Sequence, residues 1–70
     1  MTSERLNNTM KVHRFEKGIT QAQLAEQTGV TRKTINSVEN GIFVPSTVLA
    51  LKVARALDTP VEALFILPSD

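Results

Sequence analysis

Three glycines and three prolines, at Gly18, Gly29, Gly41, Pro45, Pro60 and Pro68, cut this 70-residue chain into short runs. Such residues mark turns and helix ends. No run between them shows the strict alternation of a half-buried strand, and each of the longer ones reads as a helix. A chain of this length has room for one domain, residues 1–70, with a core over about 8–66. It contains no internal repeat, low-complexity run or linker.

The first helix is expected over Asn8–Lys17, capped by Asn7 or Asn8 and stopped by Gly18. Met10, His13 and Arg14 share its inner face; Val12 and Phe15 lie off it. Thr20 caps a second helix, Gln21–Thr28, with Leu24 and Ala25 inward and Gly29 at its end. Thr31 caps a third, Arg32–Asn40, with Ile35 and Val38 as its apolar stripe. Ser46 caps a fourth, running from Ser46 or Thr47 to Leu57. Val48, Leu49, Leu51, Val53, Ala54, Ala56 and Leu57 make it the most apolar helix and give it the expected central place. A fifth is expected over Pro60–Phe65, with Thr59 as cap, Pro60 at the first helical position and Glu62 closing a capping box. The expected architecture is all-α, a compact five-helix bundle.

Composition narrows the chemistry. With no cysteine and one histidine, neither a disulfide framework, a thiolate nucleophile nor a zinc site is available. No glycine-rich phosphate loop and no marked pair of carboxylates occurs, so an enzyme is rejected and no cofactor, metal or small-molecule ligand is implied. The 4% aromatic content leaves little for stacking single strands. Met1–Thr9 is polar, without a signal-peptide core, and no stretch approaches the roughly 20 apolar residues of a membrane span. A soluble, cytoplasmic protein is expected, with no membrane partner.

The informative stretch is Gln21–Asn40. Two short helices meet at a tight turn where Gly29 permits left-handed backbone. Ala25 is small where the helices must approach closely, and Ile35 and Val38 dock the second helix on the first. The outer face of that second helix, Arg32, Lys33, Thr34, Asn36 and Ser37, is polar and free of acids. This is a helix-turn-helix pattern spanning 20–40. The net charge of +1 looks weak for a nucleic-acid binder, yet Gly29–Val38 alone carries Arg32 and Lys33 and no acid. So low a total charge implies few phosphate contacts and a modest salt dependence.

Longer phrases are more specific. Glu16-Lys17-Gly18-Ile19-Thr20-Gln21, Leu24-Ala25, Gly29-Val30-Thr31, Thr34-Ile35, Glu39-Asn40-Gly41 and Pro45-Ser46, in this order and spacing, resemble the Cro/phage-repressor (XRE-type) helix-turn-helix family. The resemblance covers about Met10–Phe65 and is nearest to small stand-alone members. It implies a lambda-repressor-like DNA-binding domain. It also implies roles: Gln21 grips a phosphate; Thr31, Arg32, Lys33, Asn36 and Ser37 face the major groove; Asn40 contacts the DNA backbone; Arg14 and Glu39 form a pair tying the first helix to the recognition helix. Arg32 and Lys33 can donate to guanine, and Asn36 can reach adenine or phosphate. Thr34 joins the set from the outer face.

Two positions depart from the family. His13 stands where it usually has leucine, and reads as a satisfied, partly buried histidine. After Gly41 the loop reads Ile42-Phe43-Val44 instead of basic residues or tyrosine, which points to packing or dimerisation more than DNA contact. Val12, Phe15, Ile42, Phe43, Ile66 and Leu67 exceed what a small core absorbs and are the candidates for a homodimer patch. The expected function is a sequence-specific regulator of transcription that binds double-stranded DNA as a homodimer on a palindromic operator; a repressor is favoured, and the sequence is equally compatible with activation. The competing class is an antitoxin or interaction module that uses the same scaffold to hold a toxin or another regulatory protein.

Overall fold

In the computed structural model, which describes residues 6–69, the helices run α1 Met10–Lys17, α2 Gln21–Thr28, α3 Arg32–Glu39, α4 Thr47–Ala56 and α5 Val61–Leu64. Met1–Arg5, most of the polar N-terminal stretch, and Asp70 of the tail lie outside the described residues. Three starts are fixed by side chains. The Oγ atoms of Thr20, Thr31 and Ser46 accept from the amides of Gln23, Thr34 and Leu49, each three residues on. Gln23 Oε1 in turn accepts from the Thr20 amide at 2.8 Å, which closes a capping box the sequence reading did not identify. Gly18 and Gly29 end α1 and α2 at φ 71° and 76°.

The two ends of the chain differ from expectation. The first helix begins at Met10, because Asn7–Asn8 (β1) pairs antiparallel with Phe65–Ile66 (β2), Asn7 opposite Ile66 and Asn8 opposite Phe65. Asn8 still serves the helix start through Oδ1, which accepts from the Met10 amide at 3.2 Å. Thr9 adds two bonds across the same junction, donating from its amide to Leu64 and from Oγ1 to Ala63. Two-residue strands leave no alternation to read, so only the meeting of the termini creates them.

The fifth helix is shorter than the sequence suggests, and its expected capping box does not form. Thr59 Oγ1 donates to the Leu57 carbonyl at 2.9 Å, and no side chain caps Val61. The hydroxyl closes the end of α4 instead. Asp58 adopts φ 52° there, taking the left-handed position that glycine fills elsewhere.

Met10, Leu24, Ala25, Ile35, Val38, Leu49, Val53, Leu57 and Leu64 form the core. α4 contributes one stripe, Leu49 and Val53, while Val48 and Leu51 face outward. Its expected central place is therefore only half true: one side of it is core and the other is exposed apolar surface. His13 is half-buried, with Nδ1 3.0 Å from the Thr9 carbonyl oxygen, which can only accept, so Nδ1 is the donor of that contact. No helix among the described residues is long and apolar enough to cross a membrane.

Candidate nucleic-acid interface

The interface is built outward from one buried ion pair. Arg14 is largely buried on α1 and reaches α3, where Nε donates to Glu39 Oε2 at 2.7 Å and Nη2 to Oε1 at 3.3 Å. Its third nitrogen donates to the Ile19 carbonyl at 3.0 Å, so the same guanidinium also fixes the loop between α1 and α2. A two-toothed bond of this kind sets orientation as well as distance. It also removes the Glu39 carboxylate, 0% exposed, from the surface. The outer face of α3 is thereby left cationic.

Gln21 extends the network. Its Nε2 donates to Glu39 Oε1 at 3.0 Å and to Asn36 Oδ1 at 3.1 Å. Both amide hydrogens are engaged inside the protein, so a phosphate contact from this side chain requires one of them to be released. The sequence offers Gln21 only as an outward-facing group; its inward role depends on Glu39, 18 residues away. Asn36 gives up acceptor capacity on Oδ1, which leaves its Nδ2 as the group free to donate to DNA.

The remaining candidates divide by accessibility. Arg32, Lys33 and Asn36 are exposed and line a shallow cleft of 300 Å³. Thr31 is exposed but occupied with capping and sits 3.1 Å from the Thr34 hydroxyl. Thr34 and Ser37 are half-buried, and Asn40 is exposed where α3 ends. Ala25, Ile35 and Val38 are buried at the α2–α3 contact, and Gly29 makes the turn. A second cleft, of 460 Å³, lies at the N-terminus of α2, between Arg14, Phe15, Thr20, Gln21 and Arg32. The Arg14 guanidinium carbon there stands 4.8 Å from the centre of the Phe15 ring, a cation–π contact.

All six dimer candidates carry exposed or partly exposed apolar surface, but they fall in different places. Phe15 shares a cleft with Arg32, and Ile42 and Phe43 share one with Lys33, Thr34 and Ser37. Val12, Ile66 and Leu67 line neither. Val44, in the loop the sequence assigns to packing or dimerisation, is exposed as well, whereas the exposure of Val48 and Leu51 was not legible, because apolar content in a helix reads as core until a neighbour fails to cover it.

Two short capped helices joined at a left-handed glycine, the second with a basic and carboxylate-free outer face, define a helix-turn-helix. A family model described as helix-turn-helix matches residues 13–64. An uncharacterized HTH-type transcriptional regulator of Methanothermobacter thermautotrophicus is 46% identical over 66 residues, covering 93% of this chain and 96% of that protein. The restriction-modification controller protein C.AhdI from Aeromonas hydrophila superposes with a TM-score of 0.73 at 35% identity, covering 77% and 82% of the two chains. The N-terminal DNA-binding domain of SinR from Bacillus subtilis gives 0.70 at 35%, covering 76% and 78%. The chain belongs to the XRE-type helix-turn-helix family of DNA-binding transcriptional regulators.

Proposed function

We propose that this protein is a repressor that binds a palindromic operator as a homodimer, with α3 of each copy in the major groove. One observation carries the reading. The buried Arg14–Glu39–Gln21 network holds α3 rigidly while consuming its only acid, so that Arg32, Lys33 and Asn36 project from a preorganised, cationic face. In the groove, Arg32 and Lys33 donate to guanine edges, and Asn36 donates from Nδ2 to a base or a phosphate. Thr31, Thr34 and Ser37 line the same face. The first amides of α2, Gln21 and Asn40 fix the register on phosphates. Repression follows from occluding polymerase.

A single module makes a small footprint, and two-fold dimers read half-sites about 34 Å apart. The dimer surface consistent with free recognition helices excludes Phe15, Ile42 and Phe43. It draws on Val48 and Leu51 of α4, and on Val12, Ile66 and Leu67. The same exposed apolar residues support a second reading, in which that surface holds a toxin or other regulatory protein. A protein that stays monomeric on its operator favours this second reading.

The test is selection of bound fragments from random DNA, followed by titration of Arg32→Ala and Lys33→Ala on the selected site. Each substitution is expected to cost about 1–3 kcal/mol and to relax preference at one base position. Wild-type affinity in the double variant removes these two side chains from the reading.

A further inference from the structure

We infer that Phe43, together with Ile42, belongs to the base-reading surface and receives the 5-methyl group of a thymine. The inference rests on the DNA-binding reading and assigns it a specificity determinant outside the helix-turn-helix. The loop after Gly41 is docked on the recognition helix, since the amides of Ile42 and Phe43 both donate to the Ser37 carbonyl, at 3.0 and 3.2 Å. Ile42 and Phe43 thereby share a cleft of 310 Å³ with Lys33, Thr34 and Ser37 of α3. Two of the five lining residues are large apolar groups held in solvent, 78% and 49% exposed.

The chemistry of the cleft selects its occupant. A phenyl ring offers no hydrogen bond, and burying a phosphate oxygen against it would be costly. The lining contains no carboxylate, and its one cation, Lys33, suits the electronegative groove around an apolar spot. In the major groove the only apolar feature on a base edge is the thymine methyl, which phenylalanine and threonine methyl groups can contact. Phe43 and the methyl of Thr34 supply both partners beside Lys33. A second copy of this chain seated on the same cleft would cover Lys33 and Ser37, which disfavours it as the occupant.

The full chain is used to select an operator, and each thymine in it is replaced singly by uracil, which removes only the methyl group. At one thymine per half-site the wild-type protein is expected to lose about three- to tenfold in affinity. Phe43→Ala is expected to lose a similar factor on the thymine site and to be indifferent to uracil there. Phe43→Leu, which keeps an apolar contact and the fold, is expected to stay sensitive. Wild-type indifference to uracil at every position overturns the inference while leaving DNA binding intact. So does a Phe43→Ala variant that keeps full sensitivity, or one whose change is a shifted monomer–dimer equilibrium by sedimentation. If no duplex is selected at all, the DNA-binding reading fails, and this inference fails with it.

Discussion

Between Thr20 and Asn40 no large apolar side chain is exposed, whereas between Ile42 and Leu67 seven are: Ile42, Phe43, Val44, Val48, Leu51, Ile66 and Leu67. The caps follow the same division. Thr20 and Thr31 both close their helices, while in the later stretch Ser46 closes its helix and Thr59 does not. The first region satisfies itself, with its buried acid, Glu39, paired and its large apolar side chains covered. The second is stable enough to fold, yet keeps a surface that only another molecule can cover. The contrast matches the roles proposed for them: a rigid reader, extended by Ile42 and Phe43 of the following loop, and beyond that loop a surface for assembly.

The comparison is best broken at its stiffest point. Arg14→Met leaves the buried Glu39 carboxylate with Gln21 but without its cation, and is expected to lower stability by about 3–5 kcal/mol, measured by urea unfolding. Replacing both residues with apolar ones is expected to restore much of that loss. A small effect of the single change would mean that the reading half is not organised around this pair.

On the assembly side, Val48→Glu combined with Leu51→Glu is expected to raise the dimer dissociation constant about 100-fold, roughly 2.8 kcal/mol. Unfolding of the dilute monomer should stay within about 0.5 kcal/mol of wild type, since both residues are exposed. Loss of monomer stability in this variant would place α4's outer face in the core after all.

The caps give a finer contrast. Thr20→Ala is expected to cost about 1 kcal/mol, as a lost N-cap does, and Thr59→Ala clearly less, because Thr59 caps no helix start and makes one bond to the Leu57 carbonyl. Equal costs in thermal melts would remove that distinction. The smallest effect is expected at Asp58, held at φ 52°. Asp58→Gly relieves the left-handed penalty and should add about 0.5 kcal/mol in the same melts. Its ion pair with Lys17 is long, at 3.9 Å, and exposed, so losing it costs little.

Much of the molecule was legible because its signals act over three or four residues. A threonine or serine before a helix meets its amide three residues on, and a glycine after it permits the left-handed turn; α2, α3 and α4 follow from such pairs. Thr59 shows where this fails. Its spacing to Glu62 fits a capping box, but its hydroxyl has a competing carbonyl on Leu57, and a sequence does not say which partner wins. The pairing of Asn7–Asn8 with Phe65–Ile66 was out of reach for another reason. Nothing local distinguishes residues that the rest of the fold will bring together from opposite ends.

The interface divides in the same way. The acid-free run from Arg32 to Ser37, the capped helices and the glycine turn were determined by the sequence alone, because helical periodicity sets which side chains share a face. Only the tertiary structure decided how those side chains are committed. It turned Gln21 inward, buried Glu39 under Arg14 and set Phe43 beside Lys33. Each of these depends on contacts between separate elements, and such contacts exist only once the helices pack.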